Sequence, residues 1–267
     1  MKRPGRISTA IDCLRCALAG LALLATLGLS LLWLVLPGRW PVRRWIEILG
    51  WRLILAGFGI RIAVHGNPVP DARTLIVAKH VSWIDIAVVA RVADVGFVAK
   101  SEIVSWPVIG VLARRYGCIF IDRSNRGDLG DLARKMAGYP RQTGLALFPE
   151  GTTTDGSEVL PFRSSLFACI GERWPEIQPV TLDYRGADGK LLSPEERRRV
   201  AWLDNDALLQ HAFSLAMSGG VTLHVWFEQA FEATDRKHAA ARSRDIIAAR
   251  LAAPDDGAYA AARKRAA

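Results

Sequence analysis

Cysteine is scarce: four in 267 residues, Cys13, Cys16, Cys118 and Cys169, too few to staple a chain of this length into a secreted disulfide scaffold. Acidic charge is short as well. Against 35 Lys plus Arg stand 26 Asp plus Glu, a net charge of +9, and such a balance implies acidic partners, nucleic acid or anionic lipid. A recognised nucleic-acid motif is missing, so no nucleic-acid partner is expected. His65, His211, His224 and His238 lack ligand spacing, and Cys13-x-x-Cys16 enters an apolar helix without a second ligand pair; no metal site is expected. No repeat of fixed period is visible. With 51% apolar and 23% charged residues, disorder is excluded for the chain as a whole, and the length suits one α/β domain with an appendage.

One long apolar run is present. From Cys16 to Leu36 there is no charged side chain, and at about 1.5 Å per helical residue this reaches roughly 30 Å, the thickness of a bilayer's hydrocarbon core. It is long for a signal-peptide core and ends without an A-x-A-like site, so a retained membrane helix is expected. Basic residues flank both ends, Arg15 before and Arg39, Arg43 and Arg44 after, which leaves the orientation open. Trp45 to Val64 is apolar but broken by Glu47, Arg52 and Arg61, with Trp40, Trp45 and Trp51 near its start. This pattern predicts a second helix returning from or lying in the interface, against the alternative of a buried amphipathic helix. Residues 1–65 are therefore expected to form an N-terminal membrane-embedding helical pair.

After the turn-rich break Gly66-Asn67-Pro68-Val69-Pro70, short apolar runs alternate with helical spacing. Strands are predicted at Leu75–Ala78, Val95–Ala99, Cys118–Ile121, Leu145–Phe148, Val180–Leu182 and Val221–Phe227, and helices at Ile84–Arg91, Trp106–Tyr116, Asp128–Tyr139 and Ser164–Glu172. The alternation predicts an α/β fold with a mostly parallel sheet flanked by helices over residues 66–234. Residues 235–267 are Ala/Arg-rich and are expected as a solvated helix or a loose basic end.

Four blocks carry chemistry. Lys79-His80-Val81-Ser82-Trp83-Ile84-Asp85 follows a predicted strand. Five residues apart, the imidazole and the carboxylate would diverge by roughly 140° on one helix, so they meet only across a strand-to-helix turn. There the carboxylate can fix the imidazole tautomer and leave the other nitrogen to accept a proton. Gly117 to Arg123 is an apolar strand ending in an Arg, a planar fork for phosphate or carboxylate. Phe148-Pro149-Glu150-Gly151-Thr152-Thr153 opens a strand into a loop whose backbone N–H groups can approach an anion. Ile177-Gln178-Pro179-Val180 places a Pro at a predicted strand start, which structure alone explains. Ser82 lacks a G-x-S-x-G elbow and is not expected to form an acyl-enzyme.

In this order and spacing the four blocks, over His65 to Leu182, resemble the glycerolipid acyltransferase family, whose best-known member acylates 1-acylglycerol-3-phosphate. The resemblance implies an α/β acyltransferase fold, an acyl thioester on acyl carrier protein or coenzyme A as co-substrate, a lysolipid acceptor, no bound cofactor and an N-terminal helical pair docked in the membrane. It implies His80 as general base and Asp85 as its orienting partner, with Arg123, Glu150, Gly151, Thr152, Thr153 and Pro179 in the acceptor site. The implied location is a bacterial-type inner membrane with the site facing the cytoplasm. A neutral imidazole of pKa about 6.5 suits this chemistry, because it can take the proton of an attacking hydroxyl near neutral pH.

Two residues depart from the family pattern. Lys79 stands where an Asn commonly precedes the His, and Thr153 stands where members acting on lysophosphatidic acid usually carry Arg. A charge-assisted contact contributes about 1.5 to 3 kcal/mol, so its loss weakens the case for a phosphate-bearing acceptor. Phe148 to Phe167 looks more like the branch that acylates lyso-ornithine lipid, and Arg163 is a candidate to replace the missing Arg. Lysophosphatidic acid, the family's commonest acceptor, is the default expectation, with lyso-ornithine lipid a close second.

Overall fold

The fold is that of a computed structural model, which describes residues 6–37, 41–69, 73–122, 126–139, 144–171, 173–203 and 206–253. Two helices come first, α1 (Arg6–Val35) and α2 (Val42–Gly57), then strands β1 (Ile60–His65) and β2 (Thr74–Ala78). There follow α3 (Ile84–Ala93), β3 (Gly96–Lys100), α4 (Ile109–Tyr116), β4 (Ile119–Ile121), α5 (Arg126–Ala137) and β5 (Leu145–Leu147). The chain continues with β6 (Glu176–Gly186), α6 (Pro194–Val200), α7 (Leu208–Ala216), β7 (Val221–Phe227), β8 (Phe231–Glu232) and α8 (Arg236–Ala252).

The strands form one sheet in the order β1-β7-β6-β2-β5-β3-β4, with β8 paired to β6 beside β7. Every neighbouring pair is parallel except β6 with β7 and with β8. This is the mostly parallel α/β architecture expected, with one antiparallel seam. Buried parallel strands read as continuous apolar runs because both faces are covered. In β2, Ile76 and Ala78 join a core shared with α2, α3 and α7, while Leu75 and Val77 join a second core shared with α5 and α8. The alternation of side chains along a strand thus feeds two helical layers from one segment.

Several elements differ from expectation. Trp45–Val64 is not one helix: α2 stops at Gly57, Gly59 turns at φ +67°, and Ile60–His65 joins the sheet as β1, in parallel register with Val221–Trp226. A short apolar run fits a strand as well as a helix, and pairing with β7 decides here. Among the described residues of the expected helix Ser164–Glu172, only a 3-10 turn at Ser164–Phe167 is helical. A second 3-10 turn at Ser101–Ser105 and Pro107 delay α4 to Ile109. Within the expected basic tail, residues 236–252 do form a helix, but one face of it is not solvated: α8 buries Ala239, Ala240, Ser243 and Ile247 against the second core.

The helical pair lies back to back. The Trp33 indole donates to Glu47 at 2.9 Å, the Arg43 guanidinium covers the Trp33 ring at 3.9 Å, and Thr26 donates to the Gly50 carbonyl at 3.4 Å. Glu47, which interrupts the apolar run, is therefore satisfied inside the pair. α2 packs on α3, and Arg44 reaches Asp94 at the end of α3 at 2.9 Å. Gly57 is the point of closest approach: a Cβ there would lie 2.2 Å from the Ala22 Cβ. Gly57→Leu should force the helices apart and destabilise the protein by about 1–3 kcal/mol, read as a fall in melting temperature of several degrees in detergent; an unchanged melt would show that this contact does not hold the pair.

Candidate active site

The turn from β2 into α3 brings His80 and Asp85 together across the five-residue gap. His80 Nδ1 donates to Asp85 Oδ2 at 2.8 Å, and the same oxygen accepts the backbone N–H groups of Val81 at 2.7 Å and Ser82 at 2.9 Å. Asp85 Oδ1 accepts from the Tyr184 hydroxyl at 2.6 Å. The carboxylate is fully buried, and four donors replace the water it has lost. With its proton on Nδ1, the imidazole turns Nε2 away from Asp85 as the acceptor. The ring stacks on Phe148, centroids 4.2 Å apart, which fixes its plane. Ser82 Oγ is buried and makes no hydrogen bond to the ring, so a hydroxyl that the imidazole could activate would have to come from outside this turn.

Tyr184 is the residue that sequence reasoning missed. It lies 99 positions beyond Asp85, on a strand read from sequence as only Val180–Leu182 and here running from Glu176 to Gly186. Burial and the neighbouring Asp85 push its phenol well above the ordinary value of 10.0, so it stays protonated and can only donate to that carboxylate. A single Tyr in an apolar strand gave no local signal.

The third block lies against the His80 turn. Gly151 turns the loop at φ +78°, and a Cβ there would meet Arg163 Nε at 2.8 Å, so the Arg163 side chain lies directly over it. Thr154 donates its backbone N–H to the His80 carbonyl at 3.0 Å, and Lys79 Nζ donates to the Gly156 carbonyl at 3.0 Å. The Thr153 hydroxyl donates to the Trp202 carbonyl, and the Trp202 N–H in turn bonds the Val81 carbonyl at 2.9 Å. The Thr152 hydroxyl reaches the Thr153 carbonyl at 3.4 Å. Thus Glu150 to Thr153 do adjoin the His80 turn. Arg123 lies outside the described residues. Pro179 is not at a strand start but inside β6, between the residues paired with β8 and those paired with β7, and its carbonyl accepts from Glu228 at 3.0 Å.

Lys79 and Glu150 are both buried beside this turn. Burial lowers the Lys79 pKa from its usual value, partly opposed by the Asp183, Glu150, Asp85 and Asp155 charges. Desolvation pushes Glu150 up to about 8, with Lys79 the largest opposing influence. The Asn-to-Lys departure thus supplies the cation facing a buried acid. Among the described residues no cluster of three or more His, Cys, Asp or Glu is placed to hold a metal. His65 and His224 instead pair ring to ring at 3.0 Å, and His211 bonds Trp83.

A sequence model of the acyltransferase family matches residues 61–183. The lyso-ornithine lipid O-acyltransferase of Rhizobium meliloti is 34% identical over 83% of this chain and 80% of its own. The chain belongs to the acyltransferase family. Another relative, the 1-acyl-sn-glycerol-3-phosphate acyltransferase of Neisseria meningitidis, is 35% identical over 52% of this chain and 55% of that protein. The crystal structure of the 1-acyl-sn-glycerophosphate acyltransferase of Thermotoga maritima superimposes with a TM-score of 0.63 over 91% of this chain and 96% of that one, at 15% identity. At that identity the likeness is one of fold, and the acyltransferase match spans the sheet from β1 to β6 that carries the His80 turn and the Glu150 loop.

The raised Glu150 pKa has a stability consequence. The unfolded chain loses this proton near the ordinary value of 4.5, the folded chain only at about 8. Stability contributed by the bound proton is therefore lost as pH rises through that window. Glu150→Gln should flatten the decline in melting temperature between about pH 5 and 8; an equal slope in both proteins would place the titration elsewhere.

Proposed function

We propose that the protein transfers a fatty acyl group from an acyl thioester to the free hydroxyl of a lysolipid at a membrane. The observation that carries this reading is the His80–Asp85 pair, with Nδ1 tied to a four-donor carboxylate. His80 Nε2 takes the acceptor's hydroxyl proton while the oxygen attacks the thioester carbonyl. The tetrahedral adduct collapses, the carbon–sulfur bond breaks, and the imidazolium returns the proton to the leaving thiolate. Asp85 holds the tautomer and offsets the imidazolium charge, and Tyr184 positions Asp85. The donor is an acyl carrier protein or coenzyme A thioester. Outward leucines along α1, with Leu21 at 63% and Leu24 at 67% exposure, support embedding of the helical pair in a bacterial inner membrane, with the site on the cytoplasmic side. Ala10–Val35 is long and apolar enough to cross a bilayer.

For the acceptor headgroup, lyso-ornithine lipid is the first reading. It is supported by the Rhizobium relative, matched over most of both chains, and by a Thr153 whose hydroxyl is spent on the Trp202 carbonyl. Lysophosphatidic acid is the second reading, favoured by the Arg163 guanidinium over Gly151, a cation beside the loop that lacks the usual Arg. Either headgroup carries an anion that Arg163 can bind, a carboxylate or a phosphate. Arg163→Ala should raise the acceptor Michaelis constant about tenfold, the loss of one charged contact, and leave that of the donor unchanged. Comparing wild-type rates on lyso-ornithine lipid and on 1-acylglycerol-3-phosphate decides between the readings: efficient turnover of the phosphate lipid alone would eliminate the first.

His80→Ala should abolish transfer, and Asp85→Asn should lower kcat by orders of magnitude. Tyr184→Phe keeps the ring and removes one donor; kcat should fall about tenfold while the donor Michaelis constant holds, the size of one hydrogen bond to a charged group. Near-normal turnover in purified His80→Ala would remove the base from the mechanism, and a Tyr184→Phe defect confined to the Michaelis constants would reassign Tyr184 to binding.

A further inference from the structure

α7, Leu208–Ala216, has the sequence LLQHAFSLA and carries no Asp, Glu, Lys or Arg. Its inner face is filled by His211, Ala212, Leu215 and Ala216. The opposite face shows Leu209 at 79% exposure, Phe213 at 59% and, one turn on, Met217 at 36%. Positions i, i+4 and i+8 lie on one stripe of a helix. A helix facing water normally places its charged and polar residues there, so the stripe has the wrong chemistry for solvent.

Its neighbour indicates what covers it. α7 packs against α1, and the Arg15 guanidinium of α1 lies 3.8 Å from where a Cβ of Gly219 would stand, just past the end of α7. From there α1 presents Leu14, Leu18, Leu21 and Leu24 outward, in a segment of mean hydropathy 2.3. The stripe therefore continues the outward apolar face of α1. By itself it is far smaller than the roughly 800 Å² each partner gives to a stable dimer. Arg15 at the junction also reaches Asp12 at 3.5 Å, and its remaining guanidinium donors suit anionic headgroups.

We propose that α7 is a further membrane-contacting helix beyond the α1–α2 pair, with Leu209, Phe213 and Met217 inserted into the bilayer beside α1; this rests on the embedding of that pair under the proposed function. The inner face of the same helix reaches the site. The Trp83 indole, inside the His80–Asp85 turn, donates to His211 Nδ1 at 3.0 Å, and His211 Nε2 donates to the Val200 carbonyl at 3.1 Å. Lipid on one side of α7 and the catalytic turn on the other fix where the bilayer surface runs relative to His80.

The test uses the full-length protein in phosphatidylethanolamine–phosphatidylglycerol vesicles doped with a phospholipid bearing a diazirine on its acyl chain, with adducts mapped by mass spectrometry. Adducts are expected on residues 208–217 at a yield within about threefold of those on α1, and Leu209→Gln/Phe213→Ser should lower them about tenfold while α1 stays labelled, a loss of about 1.4 kcal/mol in insertion. His80→Ala should label as wild type, which separates docking from catalysis. Labelling of α1 without 208–217 overturns the proposal and leaves embedding intact; no lipid adduct anywhere overturns both. Protein–protein crosslinks joining 208–217 of two copies would assign the stripe to self-association and overturn it as well.

Discussion

Burial of the Asp85 carboxylate is the constraint on which the rest of the site depends. An ionised carboxylate without water is costly unless hydrogen bonds to the charged form replace it. Three of its four donors come from the turn that contains it and one from Tyr184 on β6. That division ties local geometry to sheet topology. The turn supplies its donors only where β2 ends and α3 begins, and Tyr184 arrives only because β6 lies beside β2, with Ala78 opposite Val180. The sheet order is thus part of the apparatus that orients His80.

The same division explains what was legible in the sequence. His80 and Asp85 could be paired from their spacing, because a separation of five excludes a shared helix and leaves the strand-to-helix turn. The Glu150 loop could be placed from its glycine and hydroxyls. Tyr184 could not, since its partner is fixed by strand order and nothing within its own segment marks it. β1 was hidden because Ile60–Val64 continues the apolar character of α2, and only Gly59 and the pairing with β7 separate them. The burial of α8 was hidden for a different reason: apart from Ile247 its buried face is built from Ala239, Ala240 and Ser243, small residues that carry almost no hydrophobic signal and allow close approach to the sheet.

Lys79 shows how a departure from family pattern acquires meaning only in three dimensions. In the sequence it is a charge in place of an amide. In the fold it is buried, reaches across to the Gly156 carbonyl and faces Glu150. The two groups lie close enough for each charge to oppose the other's desolvation. The effect of Lys79 is geometric, joining the strand end that precedes His80 to the far end of the Glu150 loop.

That joining extends to the segment before α7. The loop from Glu150 to Gly156 is held to the His80 turn by Thr154 on the His80 carbonyl and Lys79 on Gly156, and to the segment leading into α7 by Thr153 on Trp202. Trp202 itself bonds back to Val81, so the loop, the His80 turn and the approach to α7 form one closed set of hydrogen bonds. An Arg at 153 would have to give up the Trp202 contact to offer its charge, so it would alter the loop as well as its electrostatics. Arg163 faces no such conflict, because its guanidinium already lies over Gly151, where a side chain on that residue would exclude it. Loop closure and the nearby cation therefore come from different residues: Thr153 ties the loop to Trp202, and the guanidinium over Gly151 belongs to Arg163 in the following segment.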